Sequence, residues 1–210
     1  MHMRVDFRLY LVSDRHQCPG DQLLDRVASA VKGGVGAVQL REKDLSGSAL
    51  HALAAALLPI CRRNGARLLV NDRIDVALSV GADGVHLPAD SFAVSDARRL
   101  LGPDRLIGVS THSVAEVAVA HAAGADFVVF GPVYATPSKA AFGLPLGLEL
   151  LRAAVVAAPI PVFAIGGITP RRASEIAATG AHGVAAVSSI LAAADPALVA
   201  AELIEILRGS

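Results

Sequence analysis

A short phrase recurs four times along the chain: Gly34-Val35-Gly36-Ala37-Val38-Gln39-Leu40, Gly81-Ala82-Asp83-Gly84-Val85-His86-Leu87, Gly124-Ala125-Asp126-Phe127-Val128-Val129-Phe130 and Gly180-Ala181-His182-Gly183-Val184-Ala185-Ala186. Each copy reads as a helix stop followed by a strand. Glycine tolerates the left-handed backbone that ends a helix, and the small residues after it lead into an apolar run. The copies lie too far apart for one strand and one helix each, so every interval should hold a further strand and helix. The unmarked strands fall where this requires them: Leu9-Tyr10-Leu11-Val12, Arg67-Leu68-Leu69-Val70, Leu106-Ile107-Gly108-Val109 and Pro161-Val162-Phe163-Ala164-Ile165. All are short, apolar on both alternations and bounded by turn residues, as parallel strands covered on both faces are. Helical spacing fills the stretches between, for example Leu50 to Arg62 and Val114 to Ala123. Eight strand-helix units without a long linker predict an α/β fold, a single (β/α)8 TIM barrel spanning residues 1–210. An open doubly wound sheet is the alternative.

Composition narrows the function classes. The 53% hydrophobic content is spread through helices, with no apolar run long enough to cross a bilayer. Arg4, Asp6 and Arg8 do not resemble a secretory signal. Nineteen basic and nineteen acidic residues give a formal charge of zero, so no general basic field favours nucleic acid or an anionic membrane. Cys18 and Cys61 show neither metal spacing nor a disulfide framework, in keeping with a reducing, cytoplasmic compartment. The alanine-rich helices leave self-association into a homo-oligomer open.

In a closed parallel barrel, the loops after the strands converge on one mouth and carry the chemistry. Here those loops hold Ser13-Asp14-Arg15, Arg41-Glu42-Lys43-Asp44, Asn71-Asp72-Arg73, Pro88 to Ser91, Ser110 to Ser113, Gly131 to Lys139, Gly166 to Thr169, and Val187 to Ser189. Arg41, Lys43 and Lys139 can converge on phosphate oxygens. Asn71 and Asp72 add hard oxygens, and a carboxylate among cations suits Mg2+ arriving with a phosphorylated ligand. The plainer reading of Arg41 to Asp44 is a solvated charge cluster, but its place directly after a strand favours a site. Gly166-Gly167, with Ser188-Ser189 opening a short helical segment over Ile190 to Ala194, suggests a second phosphate position. Equally, the glycines form a tight turn in which Thr169 caps the next helix and Pro170 opens it. His86 reads as a partly buried strand residue, and His112 as a helix cap or a proton carrier.

Gln39-Leu40-Arg41-Glu42-Lys43, Asn71-Asp72-Arg73, Gly131-Pro132-Val133-Tyr134 with Thr136 to Lys139, and Ala164-Ile165-Gly166-Gly167-Ile168 together resemble the thiamine phosphate synthases and the related thiazole tautomerases. The likeness runs from Leu9 to Ile190. For a synthase it implies that hydroxymethylpyrimidine diphosphate is joined to thiazole phosphate with release of pyrophosphate and with Mg2+ as cofactor. Arg41, Lys43, Asn71 and Lys139 would bind the diphosphate side, with Lys43, Lys139 and Ser110 acting in catalysis. Gln39 would define the pyrimidine pocket. Thr136, Ser138, Gly167, Val187 and Ser188 would hold the thiazole phosphate, and Asp72 the metal. Synthases place a second metal-binding Asp five residues after the fourth-strand His; that position is Ser91 here, with Asp90 the nearest carboxylate. Ser138 replaces the commoner Thr. The tautomerase branch resembles Leu87 to Phe92 more closely and would use His112 as proton shuttle. Two further alternatives are a silent phosphate-ligand-binding regulatory barrel, favoured by the missing carboxylate at Ser91, and a Schiff-base lyase using Lys43 or Lys139. The loop from Ala135 to Leu144 is expected to be a moving cover.

Overall fold

The computed structural model describes residues 5–136 and 144–209. Ser138 and Lys139, with most of the expected cover loop, lie outside the described residues. Eight parallel strands close into a barrel in chain order: β1 (Leu9–Val12), β2 (Ala37–Leu40), β3 (Arg67–Asn71), β4 (Gly84–Leu87), β5 (Leu106–Thr111), β6 (Phe127–Phe130), β7 (Val162–Ile165) and β8 (Gly183–Ala186). Pairing of β1 with β8 through Leu9 and Val184 completes closure. The open-sheet alternative is therefore excluded. The barrel's helices are α1 (Leu23–Lys32), α2 (Gly47–Arg63), α3 (Ile74–Val80), α4 (Val94–Leu101), α5 (Val114–Ala122), α6 (Gly147–Ala157), α7 (Pro170–Ala177), α8 (Ser188–Leu191) and α9 (Pro196–Arg208).

The repeated glycines act as expected. Gly34, Gly81, Gly124 and Gly180 have φ of +106°, +71°, +98° and +83°, which reverses the chain from helix to strand. Side-chain caps open α2, α5 and α9: Ser46 accepts from the Ala49 amide, Ser113 from that of Glu116, and Asp195 from those of Ala197 and Leu198. No helix among the described residues is long and apolar enough to cross a membrane.

Strand alternation divides the interior into two cores. Outward residues such as Leu11, Val38, Leu40, Leu68, Val85, Ile107 and Val128 pack under the helices. Inward residues fill the barrel itself, where Phe7, Tyr10, Phe127 and Phe163 meet with ring centroids 5.2–6.2 Å apart. This aromatic layer closes the barrel below the strands' C-terminal ends. Small residues make room for it and for the polar layer above: a Cβ on Gly108 would lie 2.3 Å from Phe127 and 2.7 Å from the His86 ring.

Candidate active site

Gln39, Asn71, His86 and Ser110 lie on consecutive strands β2 to β5, and the register pairs Asn71 with His86. β5 runs two residues further than its apolar run implies, so Ser110 and Thr111 belong to the strand. This extension brings Ser110 beside His86 of the neighbouring strand, with His86 Nε2 2.9 Å from Ser110 Oγ. His86 is fully buried, not partly. Burial first, and then the positive charge of Arg41, push its imidazole down to about 3, so the ring is neutral. Tyr10 completes the layer: its hydroxyl lies 3.3 Å from Gln39 Nε2 and 3.5 Å from His86 Nδ1. Sequence reasoning placed neither Tyr10 nor His86 beside Gln39 and Ser110.

The charged loop after β2 separates into two sides. Glu42 is buried and accepts from the Ser13 hydroxyl at 2.6 Å, from the Arg15 amide and from the Arg15 guanidinium. Arg15 also grips Asp44 with both terminal nitrogens, and this holds the Asp44 carboxyl far below its usual range. The acids of Arg41-Glu42-Lys43-Asp44 thus turn to Arg15. Arg41 and Lys43 form no ion pair among the described residues. The acids next to Arg41 and Lys43 in sequence are therefore paired with Arg15, which leaves these two cations without an acidic partner among the described residues.

Beside them, Asp72 has φ +62° and is the one non-glycine among the described residues in that region. Asp tolerates this conformation better than most residues, and strain of this kind concentrates at functional sites. Its amide donates to the His86 carbonyl at 2.9 Å, and its carboxylate accepts from the Ser91 hydroxyl. Ser91, not Asp90, makes that contact; Asp90 is exposed. Among the described residues no three His, Cys, Asp or Glu side chains cluster as a metal cage.

Across the mouth, Gly166 and Gly167 both have positive φ, +100° and +67°. Arg172 pins this turn by donating to the Gly167 carbonyl at 2.9 Å, and its guanidinium lies 4.4 Å over the Tyr134 ring. Tyr134 in turn donates to Glu175 at 2.8 Å. Thr136 is half-buried at the end of the same described stretch. The short helix begins at Ser188 as expected, with Val187 as N-cap, and ends at Leu191, short of the expected Ala194. Pro170 opens α7 as expected, but the Thr169 side chain makes no cap bond. Nor does His112 cap α5, since the Ser113 hydroxyl does so. The His112 ring lies with Nδ1 2.6 Å from the Gly131 carbonyl, which only accepts, so Nδ1 carries the proton.

A closed parallel barrel whose C-terminal mouth gathers Arg41 and Lys43, an Asp72 of positive φ and a Gly-Gly turn has the arrangement of a barrel enzyme. The chain belongs to the thiamine monophosphate synthase family, whose model matches residues 9–190. A Geobacter sulfurreducens protein provisionally named thiamine-phosphate synthase is 52% identical, covering 97% of this chain and 96% of its own. The Chlorobium luteolum thiamine-phosphate synthase is 43% identical over 95% of this chain and 92% of its own. Among solved structures, a Pyrococcus furiosus thiamine phosphate pyrophosphorylase superposes with a TM-score of 0.89 at 34% identity, covering 99% of this chain and 98% of that one.

Proposed function

We propose that this barrel is a thiamine phosphate synthase that joins hydroxymethylpyrimidine diphosphate to thiazole phosphate and releases pyrophosphate. The observation that carries the reading is the division of charge after β2: Glu42 and Asp44 are taken by Arg15, leaving Arg41 and Lys43 to an anion. Family membership and the synthase names of relatives across nearly the whole chain support the same choice.

In this reading Arg41, Lys43, Asn71 and Lys139 bind the diphosphate, and Ser110 donates to it from the floor of the mouth. The bond from the pyrimidine methylene to the diphosphate oxygen breaks, with the electron pair leaving on the diphosphate. The thiazole nitrogen then attacks the methylene carbon. Fixed cations and donors around the leaving group stabilise the charge that develops, which is where preorganised electrostatics contribute most. Gln39 bounds the pyrimidine pocket. Thr136, Ser138, Gly167, Val187 and Ser188 hold the thiazole phosphate and so present the nucleophilic ring.

The donor set fits Mg2+. Asp72 offers a carboxylate and Ser91 a hydroxyl, both hard oxygens, and this ion takes few protein ligands when phosphate oxygens complete its shell. Bound there, Mg2+ would neutralise charge on the departing diphosphate. A cytoplasmic location accords with Cys18 and Cys61, which are both buried as thiols.

The tautomerase reading rests on His112, whose Nδ1 proton is committed to Gly131 and whose Nε2 is left as a base. The relatives named as synthases favour the condensation. The test is pyrophosphate release and thiamine phosphate formation from both substrates, with and without Mg2+, beside Asp72→Asn. Metal-dependent product that fails in the variant is expected. Absence of product from folded protein, with thiazole tautomer conversion that is lost in His112→Asn, would replace the synthase reading.

A further inference from the structure

We propose that Tyr10 and His86 are positioning residues for this condensation, forming with Gln39 and Ser110 a one-way hydrogen-bond chain that fixes the Ser110 hydroxyl as a donor toward the leaving diphosphate. The proposal rests on the synthase reading and assigns two residues that reading does not use.

The chain crosses the barrel interior from β2 to β5. Gln39 Nε2 donates to the Tyr10 oxygen at 3.3 Å. The Tyr10 proton has His86 Nδ1, 3.5 Å away, as its acceptor. That leaves the imidazole proton on Nε2, where it donates to Ser110 Oγ at 2.9 Å. Ser110 then accepts from below, and its own proton is free to point at the mouth. Gln39, Tyr10 and His86 are all buried, so water does not compete for these bonds and each link constrains the next. The packing keeps the imidazole in this place: Gly108 leaves the space it occupies, and the Tyr10 and Phe127 rings lie 5.8 and 6.1 Å from it.

The same four side chains are also satisfied in reverse, with Ser110 donating to Nε2, Nδ1 donating to Tyr10, and Tyr10 donating to a Gln39 amide turned by half a rotation. Chemistry selects between the two directions. An oxygen that faces a diphosphate must donate to it, and a Ser110 whose proton is spent on His86 would instead aim lone pairs at an anion. The forward direction also leaves the Gln39 amide oxygen as an acceptor for a donor on the pyrimidine.

The tautomer reports the direction. Two-bond 15N–1H spectra of the full-length protein, with His86 assigned through His86→Gln, should show His86 protonated at Nε2; protonation at Nδ1 overturns the proposal. Kinetics test its consequence. Tyr10→Phe should lower kcat about tenfold while leaving KM for thiazole phosphate unchanged. His86→Leu should lower kcat about a hundredfold, the scale for loss of one preorganised donor, whereas His86→Gln, which keeps an N–H near the Nε2 position, should recover most of it. Adding Ser110→Ala to His86→Leu should cost little more, because the two act as one unit. Equal losses in folded His86→Leu and His86→Gln, or full additivity with Ser110→Ala, overturn the proposal. Failure of the synthase reading is distinguishable: the wild-type protein would then form no thiamine phosphate, whatever its tautomer, and the assignment of Ser110 to a diphosphate would fall with it.

Discussion

Ser13 and Glu42 join the first two loops of the barrel mouth: the Ser13 hydroxyl donates to Glu42 Oε1 at 2.6 Å and accepts from the Arg41 amide at 2.8 Å. Glu42 thereby sets the backbone from which Arg41 and Lys43 project. Glu42→Ala should leave the Ser13 hydroxyl and the Arg15 amide without their acceptor and cost about 2–4 kcal/mol of stability, read by denaturant unfolding. In the folded fraction, KM for the pyrimidine diphosphate should rise more than KM for thiazole phosphate, because only the diphosphate side loses its support. Equal rises would place Glu42 outside the diphosphate-binding loop's support.

How far the sequence reveals this molecule depends on the range of each interaction. Strands and their starts are legible because glycine, a small residue and a β-branched run are local signals. The end of β5 is not, since the apolar run stops at Val109 while the strand continues through Ser110 and Thr111. Residue types at the mouth identify Arg41, Asn71 and Asp72 as candidates. Their partners are set by register and closure: Arg15 reaches Asp44 across 29 positions and Tyr10 reaches His86 across 76. Nothing in the local pattern around Tyr10 distinguishes it from a core aromatic, and a lone strand histidine reads the same whether it sits in a polar chain or a hydrocarbon core.

Ser91 supplies a hydroxyl beside Asp72 where a carboxylate would add a second charge. Ser91→Asp should lower the Mg2+ concentration that gives half-maximal turnover by roughly tenfold, since ligand charge count tunes affinity for hard cations. Removal of divalent ions by a chelator should abolish turnover in both proteins, with readdition of Mg2+ restoring it. An unchanged Mg2+ requirement in the variant would detach Ser91 from the metal.

Gly167 combines φ +67° with a crowded setting, in which a Cβ would lie 2.8 Å from both the Arg172 guanidinium and Tyr134 Cβ. Gly167→Ala therefore strains the backbone and displaces the turn. KM for thiazole phosphate should rise at least tenfold with KM for the diphosphate substrate little changed. The opposite split would assign the turn to the other substrate.

Thr111 is the buried side chain among the described residues whose hydroxyl has no hydrogen-bond partner. It alternates with Ser110 and so faces the helix layer with Val109, away from the mouth. Thr111→Val keeps the shape and removes the stranded polar atom, whose burial costs about 1–3 kcal/mol. Unfolding should show a gain within that range and kinetics should be unchanged. A loss of stability would mean that the hydroxyl is bonded in solution.

Burial of a neutral His86 makes the fold sensitive to acid. The folded value of about 3 lies below the unfolded value of 6.5, so the unfolded chain binds a proton that the native protein does not across that interval. Stability associated with this residue is complete above about pH 7 and is lost progressively as pH falls below 6.5, with the loss growing until about pH 3. Between pH 7 and pH 5 it amounts to about 2 kcal/mol. His86→Gln removes the titration, so its stability should fall less than that of the wild-type protein over the same interval, by about that difference, even where its stability at pH 7 is lower. Parallel curves for the two proteins would show that His86 protonates in place, and that the carboxylates elsewhere in the chain account for the whole acid limb.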